Sequence, residues 1–135
     1  MKNNEFLFEI ISCDGKKYAH EIVELNVKTQ QGMIGILKNH YPLVSFIDIT
    51  TFNIVFENTR EFFSVSGATL NVKKDKVVIL CDSFERASEL DKERITKKAQ
   101  IAKEKIKESK KYDLLDLAQA ERSLKKALNR LSLIK

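Results

Sequence analysis

The sequence is short of the residues that interrupt regular structure. One proline and four glycines stand among 135 residues, and the proline shares the stretch from Gly32 to Pro42 with two of the glycines. Beyond Leu90 neither residue type occurs. Glycine and proline mark turns and break helices. Their distribution therefore predicts a shaped turn or bulge at 32–42 and helical structure after residue 90.

Long apolar runs are also missing. No stretch approaches the roughly 18 apolar residues that cross a bilayer, and Met1 to Glu5 lack the apolar core of a signal peptide. We therefore expect a chain that is made and kept in the cytosol. Cys13 and Cys81 are isolated, with no C-x-x-C pattern and no histidine at ligand spacing. We expect both to be buried, reduced thiols, and we expect no metal site.

Motifs of enzymes are absent. The sequence has no P-loop, no H-E-x-x-H zinc motif, no G-x-S-x-G elbow and no G-x-G-x-x-G fingerprint that opens a helix. His20 and His40 are far apart in the chain, and neither pairs convincingly with Ser64 or Ser66 as base and nucleophile. We expect no catalytic residues and no independent catalysis.

What is present first is a series of short, strand-like segments. Their apolar and β-branched residues alternate, and turn residues separate them. The predicted strands are Glu5–Ser12, a region at Lys17–Lys28, Leu43–Asp48, Phe52–Phe56, Glu61–Val65, Thr69–Val72 and Val77–Leu80. Such spacing without intervening helices predicts an antiparallel β-sandwich or flattened barrel over residues 1–84. The predicted core, with the faces of individual strands left open, is Phe8, Ile10, Val23, Leu25, Phe46, Ile54, Phe56, Phe63, Val65, Leu70, Val78 and Leu80.

Two helices are predicted to follow, over residues 85–135. Asp91 is a candidate N-cap for the first helix and Asp113 for the second, with a break at Ser109–Tyr112 between them. The apolar stripes are Ile95, Ala99, Ala102 and Ile106 on the first helix, and Leu117, Ala120, Leu124, Ala127 or Leu128, and Leu131 on the second. A short connection makes them an antiparallel hairpin, so the fold class is α+β.

The hairpin is predicted to be only marginally stable. Many positions of its seam are alanine, which buries little surface, whereas a buried Leu or Ile contributes about 1.5 to 3 kcal/mol. Ordering the backbone opposes this gain by on the order of 1 kcal/mol per residue. A tail that can be compact or extended is a candidate for a switch.

Charge is divided unequally between the two parts. Residues 1–91 carry ten Lys and Arg against thirteen Asp and Glu, a balance of −3, whereas residues 92–135 carry fourteen against six, a balance of +8. The second part is therefore expected either to meet an acidic partner, such as nucleic acid, anionic lipid or an acidic protein surface, or to present a solvated helix face.

Several motifs in this order resemble the epsilon subunit of the bacterial F-type ATP synthase. They are G-x-x-G-I-L-x-x-H-x-P at Gly32–Pro42, Ser66-Gly67 before the strand at 70–72, the strand at 78–80 before an acidic junction, and the two-helix tail. The resemblance covers nearly the whole chain. One departure is the segment Asp48–Thr50, which lacks the glycine expected after Phe46.

The resemblance implies a noncatalytic rotor subunit of the central stalk in a proton-translocating ATP synthase complex. Its strand domain would connect the gamma subunit to the c-ring through the rim residues Met33, Ile34, Lys38 and His40. The mobile, lysine-rich tail would meet acidic loops of the beta and alpha subunits and inhibit ATP hydrolysis. The implied location is the cytoplasmic side of the cell membrane, with membrane association only through the complex.

A second resemblance lies at the junction of the two parts. Residues 85–94 are similar to the [IL]-D-x-x-R-A segment with which some bacterial epsilon subunits bind ATP as a regulatory ligand. The residues implied for nucleotide binding are Glu85, Leu90, Asp91, Arg94, Arg122 and Lys126. Ile95 stands where the family prefers alanine. A helix N-terminus with a nearby arginine favours an anion on physical grounds, while an N-cap with a surface arginine is the structural alternative.

The alternative function is a nucleic-acid or ribosome-associated adaptor that uses the basic helices. Tyr112 is the only aromatic residue after Phe84. Stacking platforms for bases are therefore missing from the tail, and acidic residues interrupt its lysines. The epsilon interpretation is preferred, with no nucleic acid among the expected partners.

Overall fold

The computed structural model describes residues 4–134 and divides the chain into two compact units between Arg86 and Ala87. We call residues 4–86 the strand unit and residues 87–134 the helical unit. The expected α+β fold class, a β-sandwich followed by two helices, is confirmed. The expected boundary after Phe84 falls inside a strand at Ser83–Arg86 that was not predicted. That segment has a single apolar residue, so it carries no alternation to read.

The described part of the strand unit has eight strands. They are β1 (Phe6–Ser12), β2 (Lys17–Ile22), β3 (Glu24–Thr29), β4 (Gly32–Ile36), β5 (Leu43–Phe56), β6 (Thr59–Val72), β7 (Lys76–Cys81) and β8 (Ser83–Arg86). The stretch predicted as a turn or bulge at 32–42 is a strand over its first five residues and a turn only afterwards.

These strands form one sheet that folds over itself into two layers. The first layer holds β2, β1, β7, the second half of β6 and the first half of β5. The second layer holds β4, β3, the second half of β5, the first half of β6 and β8. β1 and β7 pair in parallel, and the other pairs are antiparallel. The two longest strands therefore contribute to both layers.

The change of layer within β5 coincides with irregular backbone. The β5 and β6 register shifts on both sides of Asp48, whose φ is +44°. A β-bulge bends a strand and increases its twist, which lets β5 leave one layer and enter the other. Sequence analysis predicted four short strands where the structure has two of 14 residues each, because it took the turn residues inside them as endings.

Aromatic rings from both layers meet in the core. The ring centroid of Phe8 in β1 lies 5.6 Å from that of Phe52 and 6.1 Å from that of Phe63, and Phe52 stacks on Phe63 at 4.7 Å. Such pairs add about 0.5 to 1.5 kcal/mol beyond the burial of their surface. They hold the layers at a fixed spacing.

Seven predicted core residues are buried as expected: Phe8, Ile10, Leu25, Ile54, Phe63, Val65 and Leu70. Four predictions are wrong. Phe46 and Leu80 are 62% and 54% exposed, and Val23 and Val78 are only partly buried. Phe56 is also partly buried, but it packs against the core as predicted. In β7 the neighbours Val77 and Ile79 point inward instead. Both faces of these strands are apolar, so alternation could not identify the inner one.

The helical unit begins with a 3-10 turn at Ala87–Glu89 and contains α1 (Lys92–Lys107) and α2 (Leu114–Leu131). The predicted N-caps are correct: the Asp91 carboxylate accepts from the Arg94 backbone N–H, and that of Asp113 from the Asp116 N–H. A 3-10 turn at Ser109–Lys111 forms the predicted break.

Alanine dominates the seam between the two helices. Ala99, Ala102, Ala120 and Ala127 are buried, whereas Ile95 is the only larger apolar residue buried to the same degree among the described residues of this unit. Leu90, Leu124, Leu131 and Ile134 pack against the seam while partly exposed. The predicted Ile106 and Leu117 are partly buried, and of the alternatives Ala127 and Leu128 it is Ala127 that faces the seam.

Candidate functional site

The rim residues that the resemblance implied lie on β4 and in the turn after it. Met33, 61% exposed, pairs with Lys28 of β3, and Ile34 packs partly buried against the core. Lys38 and His40 lie in the turn, where the His40 N–H donates to the Leu37 carbonyl at 3.1 Å.

That turn has a defined shape. Asn39 has φ +68°, a conformation that asparagine adopts more readily than most residues. Leu37 and Tyr41 are 58% and 86% exposed. The four predicted rim residues therefore lie on β4 and in the turn after it, where Met33 is exposed and Ile34 faces the core. Leu37 and Tyr41 are exposed apolar neighbours that sequence analysis did not name.

A second exposed surface, which the sequence did not reveal, covers the outside of the first layer. Strand register places Phe46, Thr69, Leu80 and Ile11 in one row across β5, β6, β7 and β1. The next row is Val44, Asn71, Val78 and Glu9. Val44, Phe46 and Leu80 are each more than half exposed. We call these two rows the apolar face.

The outside of the second layer is different in character. Asn26 and Asn53 are opposite each other on β3 and β5, and the Asn26 amide donates to the Asn53 side-chain oxygen at 3.0 Å. Arg60 donates to the same oxygen at 3.0 Å. Among the described residues, the large apolar residues on this outer side that are more than 36% exposed are Phe62 of β6 and Met33 of the edge strand β4. The outer side of the second layer is thus more polar than that of the first.

The helical unit carries a cationic groove. Its lining residues come from both helices, and the groove has a volume of about 410 Å³. Four are cations, from both helices: Lys98, Lys105, Lys126 and Arg130. One acid, Asp116, lies among them, and Ala102 and Ala120 allow the two backbones to approach each other. This groove could hold a polyanion.

Of the six residues implied for nucleotide binding, Lys126 lines this groove. Glu85 lies in β8, within the strand unit. The other four are in the helical unit, where Leu90 packs against the helix seam, Asp91 caps α1, and Arg94 and Arg122 are exposed. Ile95, at the position where the family prefers alanine, is buried in the seam.

Lys98, Lys105 and Arg130 were missed as candidates. In the sequence, each of them is one of many basic residues in the tail, so nothing distinguishes it from its neighbours. Only helical spacing on both helices together could have indicated that they share a groove with Lys126.

The turn between the helices forms an exposed tip. Leu114 and Leu115 at the start of α2 are 86% and 66% exposed, and Lys110 and Lys111 precede them in the chain, separated by Tyr112 and Asp113. The tip therefore combines positive charge with apolar surface, which suits an acidic protein surface better than free solvent.

The two cysteines differ in environment. Cys81 is buried, its thiol contacts the Ile11 carbonyl at 3.6 Å, and burial raises the pKa of that thiol to about 12. Cys13 is exposed. The expectation of a buried thiol was wrong for Cys13, because β1 ends at Ser12 and Cys13 begins the turn that follows.

Residues 4–134 contain no cluster of three or more side chains suited to hold a metal ion. Over the same residues, neither helix is long and apolar enough to cross a membrane.

The chain is similar to known subunits of ATP synthases over most of its length. The family model for the β-sandwich domain of ATP synthase delta and epsilon chains matches residues 5–87. The ATP synthase epsilon chain of Halalkalibacterium halodurans is 33% identical over 122 residues, which cover 90% of this chain and 91% of that protein. That of Staphylococcus aureus is 34% identical, with 95% of each chain covered.

A solved structure has the same fold. A chain in the cryo-EM structure of the Euglena gracilis mitochondrial ATP synthase superimposes with a TM-score of 0.81 at 18% identity, covering 97% of this chain and 82% of that one. The chain described here belongs to the ATP synthase epsilon chain family. The family expected from the sequence, and the function as an ATP synthase subunit, are therefore confirmed.

Proposed function

We propose that this chain is a noncatalytic rotor subunit whose strand unit joins a gamma subunit to the c-ring and whose helical unit restrains ATP hydrolysis. The observation that carries the first half is the apolar face. Isolated exposed apolar residues are ordinary, but this face gathers five apolar residues from β5, β7 and β1 around Thr69 and Asn71 of β6, and such a cluster is typical of a protein interface. The adjoining layer supplies a more polar outer side for comparison on the same molecule.

The apolar face and the rim are assigned to different partners. Flat, two-row apolar surface suits packing against the side of a stalk protein such as gamma. The rim, with Met33, Lys38 and His40 on β4 and in the turn after it, suits contact with the exposed loops of a c-ring. Binding to both at once would fix the stalk to the ring without any chemistry by this chain.

A matched pair of variants tests the assignment to gamma. Phe46→Ser on the apolar face and Phe62→Ser on the polar side remove the same exposed ring from opposite sides of the unit. We expect Phe46→Ser to weaken binding to purified gamma at least tenfold, as for a central aromatic contact, and Phe62→Ser to change it less than twofold. Equal effects of the two variants, or no effect of Phe46→Ser, contradict the proposal.

The helical unit supports the regulatory half of the proposal through its charge. Residues 92–135 carry a balance of +8, and the tip adds exposed leucines to lysines. We propose that this tail contacts acidic loops of the beta and alpha subunits. Deleting residues 87–135 should leave a strand unit that still assembles into the complex but no longer restrains ATP hydrolysis. An unfolded truncated chain, or a complex whose hydrolysis is unchanged, would count against it.

ATP is the proposed regulatory ligand of the helical unit. The cationic groove, with Lys126 among its lining residues, supports a phosphate-binding role. The other proposed ligands are unchanged from the sequence analysis: Glu85, Leu90, Asp91, Arg94 and Arg122. Isothermal calorimetry should show ATP binding to the full chain and at least tenfold weaker binding to Lys126→Ala, with Lys110→Ala at the tip as control. Absence of binding by the unaltered chain removes ATP from the proposal.

The proposed location follows from these partners. A subunit that sits between a stalk and a membrane-embedded ring is peripheral, on the cytoplasmic side, and reaches the membrane only through the complex. Release of the chain from washed membranes by conditions that dissociate the complex, and not by detergent alone, is the expected result.

A further inference from the structure

A cluster of three side chains joins the two layers of the sandwich at one edge. Tyr18 of β2 belongs to the first layer, and Glu61 of β6 and Arg86 of β8 belong to the second. The Tyr18 hydroxyl donates to Glu61 Oε2 at 3.3 Å, and Arg86 Nε donates to Glu61 Oε1. Arg86 Cζ also lies 4.9 Å from the centre of the Tyr18 ring. Each of the three side chains therefore contacts the other two.

Core residues pack against this cluster. The Tyr18 ring packs edge-on against Phe63 with centroids 5.3 Å apart. Strand register pairs Phe63 with Arg86, so these two side chains lie on the same side of the second layer. The Glu61 side chain is only 17% exposed. Such partial burial strengthens a charge-assisted hydrogen bond relative to one at an open surface.

A second contact across the same edge involves the middle of β8. Lys16 Nζ donates to the Phe84 carbonyl at 3.1 Å and lies 4.7 Å above the Phe84 ring. Phe84 itself is 3% exposed and belongs to the main core. β8 is thus held by its pairing with β6 and by the burial of Phe84. Two cation–π contacts add to this, between Lys16 and the Phe84 ring and between Arg86 and the Tyr18 ring.

The position of Arg86 in the chain gives this cluster its significance. Arg86 is the last residue of β8 and of the strand unit, and Ala87 begins the helical unit. Glu61 precedes Phe63, the partner of Arg86, by two residues on β6. The carboxylate therefore lies beyond the last paired position of β8 and holds the residue at which the chain leaves the sheet.

We propose that Tyr18, Glu61 and Arg86 form a clamp that keeps β8 in the sheet and fixes the point from which the helical unit extends. With the clamp open, β8 separates from β6. The four residues Ser83–Arg86 then add about 13 Å to the reach of the tail, at roughly 3.3 Å per extended residue. These three are positioning residues. The effect on hydrolysis rests on the regulatory role proposed above; the effect on β8 does not.

Hydrogen exchange on the isolated full chain tests the clamp directly. Arg86→Met keeps the aliphatic stem and removes the charge, and Glu61→Gln is nearly isosteric. Each should accelerate exchange of the amides at 84–90 about tenfold, the size expected from losing one partly exposed charge-assisted hydrogen bond. The double variant should exchange no faster than Arg86→Met alone, because the two residues act as one unit.

A matched control exists on the same unit. Lys76→Met breaks the Lys76–Glu9 ion pair of 2.5 Å, whose side chains are 42% and 27% exposed, close to the 40% and 17% of Arg86 and Glu61. It should leave exchange at 84–90 unchanged. Tyr18→Phe retains the ring and should give a smaller acceleration than Arg86→Met. Unchanged exchange in Arg86→Met, or equal acceleration in Lys76→Met, overturns the proposal.

Measurements on the assembled complex separate this proposal from the regulatory one. Arg86→Met should lower the rate of ATP hydrolysis relative to the unaltered chain, since a longer reach favours the extended, restraining tail. If truncation at residue 87 relieves restraint but Arg86→Met leaves exchange unchanged, the clamp is wrong and regulation stands. If exchange accelerates while truncation has no effect on hydrolysis, the clamp stands and regulation is wrong.

Discussion

Replacing Ala127 with leucine should destabilise the helical unit and leave the strand unit intact. Ala127 is 1% exposed and packs in one cluster with Ile95 and Ala99. Leucine adds three carbon atoms to a seam in which the facing residue is itself an alanine. Helices can accommodate that volume only by moving apart or by adopting unfavourable rotamers, which costs about 1 to 3 kcal/mol.

This cost is large for so small a unit. The largest gain available from one fully buried Leu or Ile is about 1.5 to 3 kcal/mol, and apart from Ile95 the larger apolar residues of the cluster are only partly buried. One substitution could therefore cancel the contribution of one of these residues. A loss of 1 to 2 kcal/mol changes the ratio of folded to open helical unit by a factor of about 5 to 30.

Hydrogen exchange on the full chain is the appropriate assay, because it reports α1, α2 and the strands separately. Ala118→Leu is the control, since Ala118 lies on the exposed side of α2 and the change in side chain and helix propensity is identical. We expect Ala127→Leu to accelerate exchange in both helices and Ala118→Leu to leave it unchanged. Equal protection in the two variants would refute the idea that alanines set the helix spacing.

Four further predictions concern the strand unit. Iodoacetamide at pH 8 should alkylate Cys13 and spare Cys81 in the folded chain. Burial raises the pKa of the Cys81 thiol from 9.0 to about 12. The unfolded chain therefore loses this proton at a lower pH than the folded chain, so the free energy of unfolding should fall as the pH rises from 9 to 12, which urea titrations can follow. The two-residue loop between β5 and β6 has positive φ at Glu57 and Asn58, so an Asn-Gly replacement should stabilise the unit by about 1 kcal/mol. Gly67→Ala should destabilise it by about 1 to 3 kcal/mol in urea unfolding, since Gly67 has φ +62° and a neighbouring aspartate occupies the space of the added methyl.

The sequence was sufficient for the features that depend on local periodicity. The caps at Asp91 and Asp113, the alanine stripe and the succession from strands to helices all rest on spacing within a few residues. The length of β5 and β6 was not predictable in the same way. Asp48 and Gly67 resemble strand ends in sequence, but the ladder continues past them because register shifts and positive φ absorb the irregularity.

The proposed interaction surfaces divide along the same line. The segment 32–42 could be singled out from its glycines and proline, since those residues mark unusual backbone. The apolar face could not, because Phe46 and Leu80 are as hydrophobic as core residues, and only strand register shows which side they occupy. The cationic groove and the clamp combine residues far apart in the chain, which no local pattern brings together.

The passage of β5 and β6 through both layers bears on how the strand unit would carry mechanical load. In a sandwich of two separate sheets, shear between them is resisted by side-chain packing alone. Here the two strands β5 and β6 pass from one layer into the other. Sliding of the layers would therefore require stretching the backbone of these strands or breaking the hydrogen bonds between them. A shear force applied to one layer should therefore reach the other through the backbone of β5 and β6 as well as through side-chain packing.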